Sequence, residues 1–314
     1  MDTTSKIDII RMSTSSYQGE DFQEREKEAL QQLVSVNYKD KINPTKPHIL
    51  ITNSNTRINE LSVNENTKLI IHPNSGYDNF DLDFVRESPC PIIIGNEIRM
   101  NAVVGYTISA LMNHLGKISS VKEWDKSRLW DRDLLEDKRI LIIGLGHIGS
   151  KVRTIIESLG GSPFIHDPFV GHNELDFKDV DVILLCASLN PKSKNIINAK
   201  ALAQVSPNLT IVNGARGELI DQQALIEFLR TNSNSYAALD VFEKEPFIDR
   251  DFSELKNVCL TSHIAGVHNQ LNSNIIKFEY RIIESFLSIN TIDKFKEINK
   301  KSLLQARVKD GFLI

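Results

Sequence analysis

The chain has 314 residues, of which 41 % are hydrophobic, and its 37 Lys and Arg against 41 Asp and Glu give a formal charge of −4. That length accommodates two domains, and a near-balanced charge with no Lys/Arg block speaks against nucleic acid or an anionic membrane as a partner. No apolar run approaches a bilayer span, and Met1-Asp-Thr-Thr-Ser-Lys6 lacks the basic-then-apolar order of a secretory signal, so a soluble cytoplasmic protein is expected.

Short β-branched runs alternate with amphipathic stretches, the pattern of a parallel α/β protein. In the first hundred residues strands are predicted at 7–11, 48–52, 68–72 and 91–95, with helical pieces at 20–33, charged on one side, and at 81–87. These make a small open sheet of their own. The pattern changes at Gly95-Asn96. A helix is predicted over 102–115, with Val104, Ile108, Leu111, Met112 and Leu115 at helical spacing and Asn101 as N-cap. A polar stretch with Trp124 and Trp130 follows. A second strand series then runs through 140–143, 163–166, 181–186, 209–213, 237–241 and 258–261. A last helix, 271–287, crosses back to the first domain ahead of a Lys-rich tail, read as a solvated surface. The domains are therefore expected at 1–97 with 271–314, and at 98–270. Cys90, Cys186 and Cys259 are odd in number and unclustered, which suits buried free thiols in a reducing compartment. No metal site is expected.

Ile140-Leu-Ile-Ile-Gly-Leu-Gly-His-Ile-Gly149 reads as a strand entering a glycine-rich turn at Gly144, Gly146 and Gly149, then a helix. That context turns an otherwise weak G-x-G-x-x-G pattern into a dinucleotide-binding signal, with the pyrophosphate at the helix N-terminus. Asp167 ends the next strand, eighteen residues after Gly149. A carboxylate there bonds both ribose hydroxyls and repels a 2′-phosphate. No arginine occurs between Arg153 and Arg216, so NAD is favoured over NADP.

Three later stretches follow strand-like runs: Asn213-Gly-Ala-Arg-Gly217, Asp240-Val-Phe-Glu-Lys-Glu-Pro246 and Thr261-Ser-His-Ile-Ala-Gly266. Singly, each has an ordinary reading as a surface ion pair, a turn or a packing residue. Together they set Arg216, Glu245 and His263 at the carboxyl edge of a parallel sheet, where ligands bind. A guanidinium grips a carboxylate with two prongs, and a His–Glu pair moves a proton near neutral pH. Gly214 and Gly217 flank Arg216 where backbone must come close to something. The set reads as a hydride-transfer site for a small hydroxy or keto acid.

The ordered motifs resemble the D-2-hydroxyacid dehydrogenase family, of the phosphoglycerate and glycerate dehydrogenase type, over about residues 45 to 285. They are Gly-Leu-Gly-His-Ile-Gly at 144–149, Asn-x-x-Arg-Gly at 213–217, Asp-Val-Phe-Glu-x-Glu-Pro at 240–246, His-Ile-Ala-Gly at 263–266, and Ser75-Gly-Tyr-Asp-Asn79. The resemblance implies a doubly wound Rossmann-type domain and a smaller flavodoxin-like substrate domain that close on each other, with hinges at Gly95-Asn96 and over 266–272. It implies that Arg216 grips the substrate carboxylate and the C2 oxygen, that the N–H groups of Ser75 and Gly76 hold that carboxylate, and that His263 transfers the proton while Glu245 orients it. The cofactor is implied to face Gly144, Gly146, His147, Ile148, Gly149, Asp167, Cys186, Ala187, Ser188, Ala215, Asp240 and Gly266, with Asp240 near the nicotinamide amide. A homodimer is implied as well.

Three departures stand out. Val103-Val-Gly-Tyr-Thr107 puts Gly105 where the family usually has glutamate, which predicts altered helix packing. Ser262 replaces a common proline before the histidine. Only thirteen residues separate Asp167 from Asp181, room for a loop and at most one helical turn where relatives fit another strand and helix. A more open adenine side is expected. Substrate specificity is assigned to side chains around 53–57, 72–75 and Tyr106, with Arg57 and His72 read either as partners of a phosphate or second carboxylate or, equally, as solvated loop residues. The rival readings are a catalytically silent NAD-binding partner or co-repressor-like protein, and a formate dehydrogenase. The complete Arg216–Glu245–His263 set counts against the first. Glu245, where the second usually has glutamine, counts against the other.

Overall fold

The computed structural model describes residues 6–15, 18–33, 36–39, 41–58, 61, 63–118, 120, 122–124, 126–127, 131–247 and 252–314; Trp130 and the first five residues lie outside them. The chain forms two compact units, Met1–Met100 with Val267–Ile314, and Asn101–Gly266. In order come β1 (Ile7–Arg11), α1 (Phe22–Leu30), β2 (Val36–Lys39), β3 (His48–Ile51), β4 (Thr67–His72), α2 (Leu82–Glu87), β5 (Ile92–Ile94) and α3 (Asn96–Gly116). The second unit continues with β6 (Ile140–Ile143), α4 (His147–Ser158), β7 (Phe164–His166), β8 (Val182–Leu185), α5 (Ala199–Leu202), β9 (Thr210–Asn213), α6 (Gln222–Thr231), β10 (Tyr236–Leu239) and β11 (Val258–Leu260). The chain ends with α7 (Leu271–Ser288), α8 (Ile292–Ile298), β12 (Val308–Lys309) and β13 (Phe312–Leu313).

The first unit is a parallel sheet in the order β2-β1-β3-β4-β5, the flavodoxin-type order. The apolar runs within β1, β3, β4 and β5 are continuous because both faces of these strands are covered. Ile9, Ile49, Ile51, Leu69, Ile71 and Ile93 pack with α1 and α7, while Ile10, Leu50, Ile70, Ile92 and Ile94 pack into the opposite layer. β2 escapes a sequence reading because Val36-Asn-Tyr-Lys39 is a short, mostly polar edge strand. Inside this unit Arg11 pairs with both Glu26 and Glu279, all three buried, and Tyr38 donates its hydroxyl to Glu26 at 2.6 Å. Burial and the neighbouring Glu26 charge hold the Glu279 carboxyl well above its ordinary range against the pull of Arg11.

The tail is more than a solvated face. Its lysines point outward, but Phe295, Leu303 and Leu304 are buried. The Ile94 N–H donates to the Ser302 carbonyl at 2.8 Å, and Leu303 bridges antiparallel to Ile93. Gln305 accepts from the Ile92 N–H at 3.1 Å and donates to the Cys90 carbonyl at 2.8 Å. The tail therefore completes the edge of β5. Apolar residues spaced among lysines had concealed this docking.

The second unit is a six-stranded parallel sheet in the order β11-β10-β9-β8-β6-β7. Alternate residues again face two layers, Leu141, Ile183, Ile211 and Leu239 on one side and Ile142, Leu184, Val212 and Ala238 on the other. β7 is an edge strand. Behind it the shortened segment forms one 3-10 turn at Pro168–Val170, capped by Asp167, and returns through an Asp167–His172 bridge. The family's additional strand and helix have no counterpart there.

α3 begins at Asn96, six residues before the predicted start, because Glu97-Ile98-Arg99-Met100 is itself helix-forming. Asn101 is therefore inside the helix rather than its cap, and its side chain accepts from Lys151 Nζ at 2.8 Å. Gly95 belongs to the first unit, its N–H shared between the carbonyls of His72 and Asn74, and the division between units falls within α3 after Met100. A methyl group built on Gly105 meets nothing within 4 Å, so the missing glutamate leaves open space rather than a repacked contact.

The docked tail yields a quantitative expectation. Leu304 is 0 % exposed among Tyr77, Phe80, Ile92 and Ile94, so Leu304→Ala should cost about 2–5 kcal/mol, while Ile298→Ala at an exposed site should change stability by less than about 0.5 kcal/mol. Urea unfolding of the two variants checks this.

Candidate active site

The second sheet brings the three predicted strand-end motifs side by side, because β9, β10 and β11 are consecutive neighbours. After β9, the buried Asn213 staples the Arg216 loop. Its Oδ1 accepts the Ala215 N–H at 3.1 Å and its Nδ2 donates to the Arg216 carbonyl at 2.9 Å. The loop then runs against the segment after β10. A methyl group on Gly217 would lie 1.9 Å from the carbonyl carbon of Phe242, so only glycine permits the approach. The sequence motif includes Asn213, but its stapling role needs coordinates to be seen.

Glu245 and His263 meet. The imidazole Nδ1 lies 2.7 Å from Glu245 Oε2, and Glu245 Oε1 accepts the Phe242 N–H at 3.1 Å. Partial burial pushes the Glu245 carboxyl upward. The His263 and Phe242 hydrogen bonds, with the nearby charges of His263 and Arg216, outweigh it and hold the group below its ordinary value. An ionised carboxylate only accepts, so Nδ1 carries the proton and Nε2 remains available for proton exchange. Both side chains are partly exposed, at 56 % for His263 and 37 % for Glu245, which suits a group that must reach a small molecule.

His263 has φ +55, in the left-handed region that non-glycine residues seldom occupy. Asp240 holds it there. The His263 N–H donates to the Asp240 carbonyl at 2.8 Å. The buried Asp240 carboxylate accepts from Ile264 N–H at 2.8 Å, Ala265 N–H at 2.7 Å and Thr261 Oγ1 at 2.5 Å. The carboxylate expected near a nicotinamide amide thus also works as the cap of the histidine loop. Ser262, with no ring restricting its neighbour, is exposed beside this turn.

Further along the same carboxyl edge, Gly144 turns with φ +95 between β6 and α4. A methyl group on Gly149 would sit 2.0 Å from the Gly144 carbonyl oxygen, which welds the helix to the turn. Space over Gly146 is open to 4 Å, and the first turn of α4, which His147 and Ile148 begin, carries no acidic residue of its own and starts from a glycine that offers no side-chain cap. Asp167 accepts the Leu145 N–H at 2.7 Å and the Phe169 N–H at 3.1 Å, which leaves carboxylate lone pairs for further donors. These residues fit a dinucleotide's pyrophosphate and ribose. Cys186, Ala187 and Ser188 form the corner after β8, where the Cys186 N–H donates to the Ile143 carbonyl and the Ser188 carbonyl accepts from Ser193 Oγ. Burial pushes the Cys186 thiol up to about 12, so it is a packing group rather than a nucleophile. Cys259, expected to be buried, is exposed on β11. Gly266 closes the second unit.

In the first unit, Ser75 and Gly76 follow β4. Their loop is held by Asn79, which donates to the carbonyls of Asn53 and Thr56, and by His72 Nε2, 2.8 Å from the Gly76 carbonyl. His72 is wholly buried, with Nδ1 2.9 Å from Thr52 Oγ1, and burial lowers its pKa to about 4. It is a neutral structural group and not an anion ligand. The Ser75 hydroxyl is buried without a hydrogen-bond partner among the described residues.

With this geometry in view, comparison with known proteins is decisive for the family. The sequence model of the D-isomer specific 2-hydroxyacid dehydrogenase NAD binding domain matches residues 108–265. The chain belongs to the D-2-hydroxyacid dehydrogenase family. D-3-phosphoglycerate dehydrogenase of Methanocaldococcus jannaschii is 32 % identical over 237 residues, covering 68 % of this chain and 45 % of that protein. The Bacillus subtilis enzyme of that name is 30 % identical over 246 residues, covering 72 % of this chain and 47 % of that protein. The chain spans about half the length of these curated relatives. Among solved structures, an NADPH-dependent glyoxylate/hydroxypyruvate reductase from Sinorhizobium meliloti aligns with TM-score 0.71 at 17 % identity, covering 90 % of this chain and 94 % of that one. D-lactate dehydrogenase from Aquifex aeolicus, complexed with NAD and lactic acid, aligns at 0.69 and 19 % identity, covering 95 % and 99 %. These two likenesses establish the α/β fold of a 2-hydroxyacid dehydrogenase. Among the described residues no helix is long and apolar enough to cross a membrane.

The buried His72 makes the first unit acid-sensitive. Its pKa falls from 6.5 to about 4 on folding, so between these values the unfolded chain binds the extra proton. The stabilising contribution is full above pH 6.5 and is lost as pH drops towards about 4, reaching about 3 kcal/mol. Urea midpoints measured from pH 7.5 to 4.5 should fall in the wild type and fall less steeply in His72→Gln.

Proposed function

We propose that the chain is an NAD-dependent oxidoreductase that moves a hydride between the nicotinamide and C2 of a small D-2-hydroxy or 2-keto acid. The observation that carries this reading is the 2.7 Å contact between His263 Nδ1 and Glu245 Oε2, on strand ends adjoining the Arg216 loop. When bound, the nicotinamide accepts or supplies the hydride. The residues do the rest. In keto-acid reduction His263 Nε2 gives its proton to the carbonyl oxygen, and in oxidation it takes the hydroxyl proton. Glu245 fixes the ring's tautomer and steadies the imidazolium. Arg216 pairs with the substrate carboxylate and polarises the C2 oxygen, while the Ser75 and Gly76 N–H groups serve as further donors to that carboxylate.

Gly144, Gly146 and Gly149, with the N–H groups of His147 and Ile148, are proposed to hold the pyrophosphate, and Asp167 the ribose hydroxyls. The Asp167 charge and the absence of arginine from 154–215 favour NAD over NADP. Cys186, Ala187, Ser188, Ala215, Asp240 and Gly266 complete the cofactor-facing set. Relatives bearing dehydrogenase and reductase names support the reaction class. Assembly as a homodimer in a reducing cytoplasm belongs to the same proposal, supported by the family resemblance and by free Cys90, Cys186 and Cys259.

The test is loss of NADH absorbance with glyoxylate, hydroxypyruvate, pyruvate and phenylpyruvate, run beside NADPH. Turnover with at least one acid, faster with NADH, is expected. His263→Ala should lower kcat by about 10²- to 10⁴-fold while NADH affinity stays near wild type. Silence with every acid would favour a non-catalytic NAD-binding protein, and NAD reduction by formate would point to a formate dehydrogenase. Equal loss of turnover and NADH affinity in His263→Ala would make the histidine structural.

A further inference from the structure

Tyr106, expected from sequence to bear on specificity, takes no part in the proton and hydride transfer described above. It lies on α3 in the second unit, and its hydroxyl is 2.9 Å from Thr261 Oγ1. Thr261 in turn reaches Asp240 Oδ1 at 2.5 Å. A carboxylate oxygen only accepts, so the single Thr261 proton is committed to Asp240. The Tyr106 hydroxyl must then be the donor in the first contact. The direction of the chain is therefore fixed: Tyr106 to Thr261 to Asp240. Burial raises the Tyr106 pKa, the Asp240 charge adds to it, and the opposing Thr261 hydrogen bond does not cancel them, so the phenol keeps its proton.

The far end of this chain is the histidine loop. Asp240 takes the N–H groups of Ile264 and Ala265 on its two oxygens and the His263 N–H on its carbonyl. A left-handed histidine does not hold itself in place, so the exchange site depends on where the Asp240 carboxylate sits. The carboxylate is buried at 0 % exposure, and the Thr261 hydroxyl is its only side-chain donor among the described residues. The Tyr106 ring is also seated against the other catalytic loop. A methyl group built on Gly214 would lie 3.4 Å from Tyr106 Cδ1 and 3.4 Å from Ala265 Cβ.

We propose that Tyr106 is a positioning residue for His263, acting through the Thr261 hydroxyl and the Asp240 carboxylate. Its action on the imidazole is indirect, through the two intervening groups. The inference rests on His263 being the proton-transfer group of the reading above, and it adds the element that orients that group from α3.

The test uses the full chain and four variants: Tyr106→Phe, Thr261→Val, Thr261→Ser and the Tyr106→Phe/Thr261→Val double. Amide hydrogen exchange over 261–266, measured without nucleotide, reads the loop directly. NADH affinity by fluorescence and kcat with the best keto acid read its consequence. Thr261→Val should speed exchange at Ile264 and Ala265 and lower kcat about tenfold, with KM and NADH affinity within about twofold of wild type. Thr261→Ser, which keeps the hydroxyl, should recover both readouts. Tyr106→Phe should lower kcat about threefold, and nothing further should be lost when it is added to Thr261→Val, because the two act in one chain.

Independent, multiplying effects of Tyr106→Phe and Thr261→Val would overturn the proposal. So would wild-type exchange in Thr261→Val, or a loss of NADH affinity equal to the loss of kcat. If no keto acid is turned over, the dehydrogenase reading fails by itself, and exchange in the same variants still decides whether the hydroxyls hold the loop.

Discussion

The candidate site depends on one buried negative charge. Asp240 sits at the end of a central strand with no solvent exposure, and its carboxylate is satisfied by two backbone amides and one hydroxyl, all from the turn after the neighbouring strand. An unpaired carboxylate there would be prohibitively costly, and the turn could not keep a histidine at positive φ without it. Each feature solves the other's problem. The imidazole reaches Glu245 because the turn is held, and the turn is held because its amides solvate a charge the sheet cannot.

Around this pair the loops brace one another. Asn213 fixes the Arg216 loop, and the absence of a side chain at Gly217 lets that loop lie on Phe242. Phe242 in turn donates its N–H to Glu245. The loops that carry a guanidinium, a carboxylate and an imidazole from three strands are thus braced through backbone, and the carboxylate and imidazole meet directly. That arrangement suits chemistry that tolerates little misplacement.

Much of this was readable from sequence, and the reasons are physical. Strands covered on both faces appear as unbroken apolar runs, so the six strands of the second sheet could be read near their observed positions. The thirteen residues after Asp167 could not hold another strand and helix, and the chain makes one turn there instead. What sequence concealed was either too short or too distant. β2 is four residues on a polar edge. Arg11 and Glu279 meet across 268 positions, so nothing near either residue announces the pair. Asn101 resembled a cap because capping chemistry and an exposed mid-helix position use the same residue type. Thr261 and Asn213 sat inside recognised motifs, but their roles depend on which lone pairs their neighbours leave open.

The tail docked on β5 has one more effect. An open strand edge is a template on which a foreign extended segment can add, by the same hydrogen bonds that build the sheet. At β5 those positions are already taken by Ser302, Leu303 and Gln305 of the same molecule. A passing peptide would have to displace an intramolecular partner whose effective concentration it cannot match. The segment 302–305 thereby guards this domain against growing sideways into an aggregate.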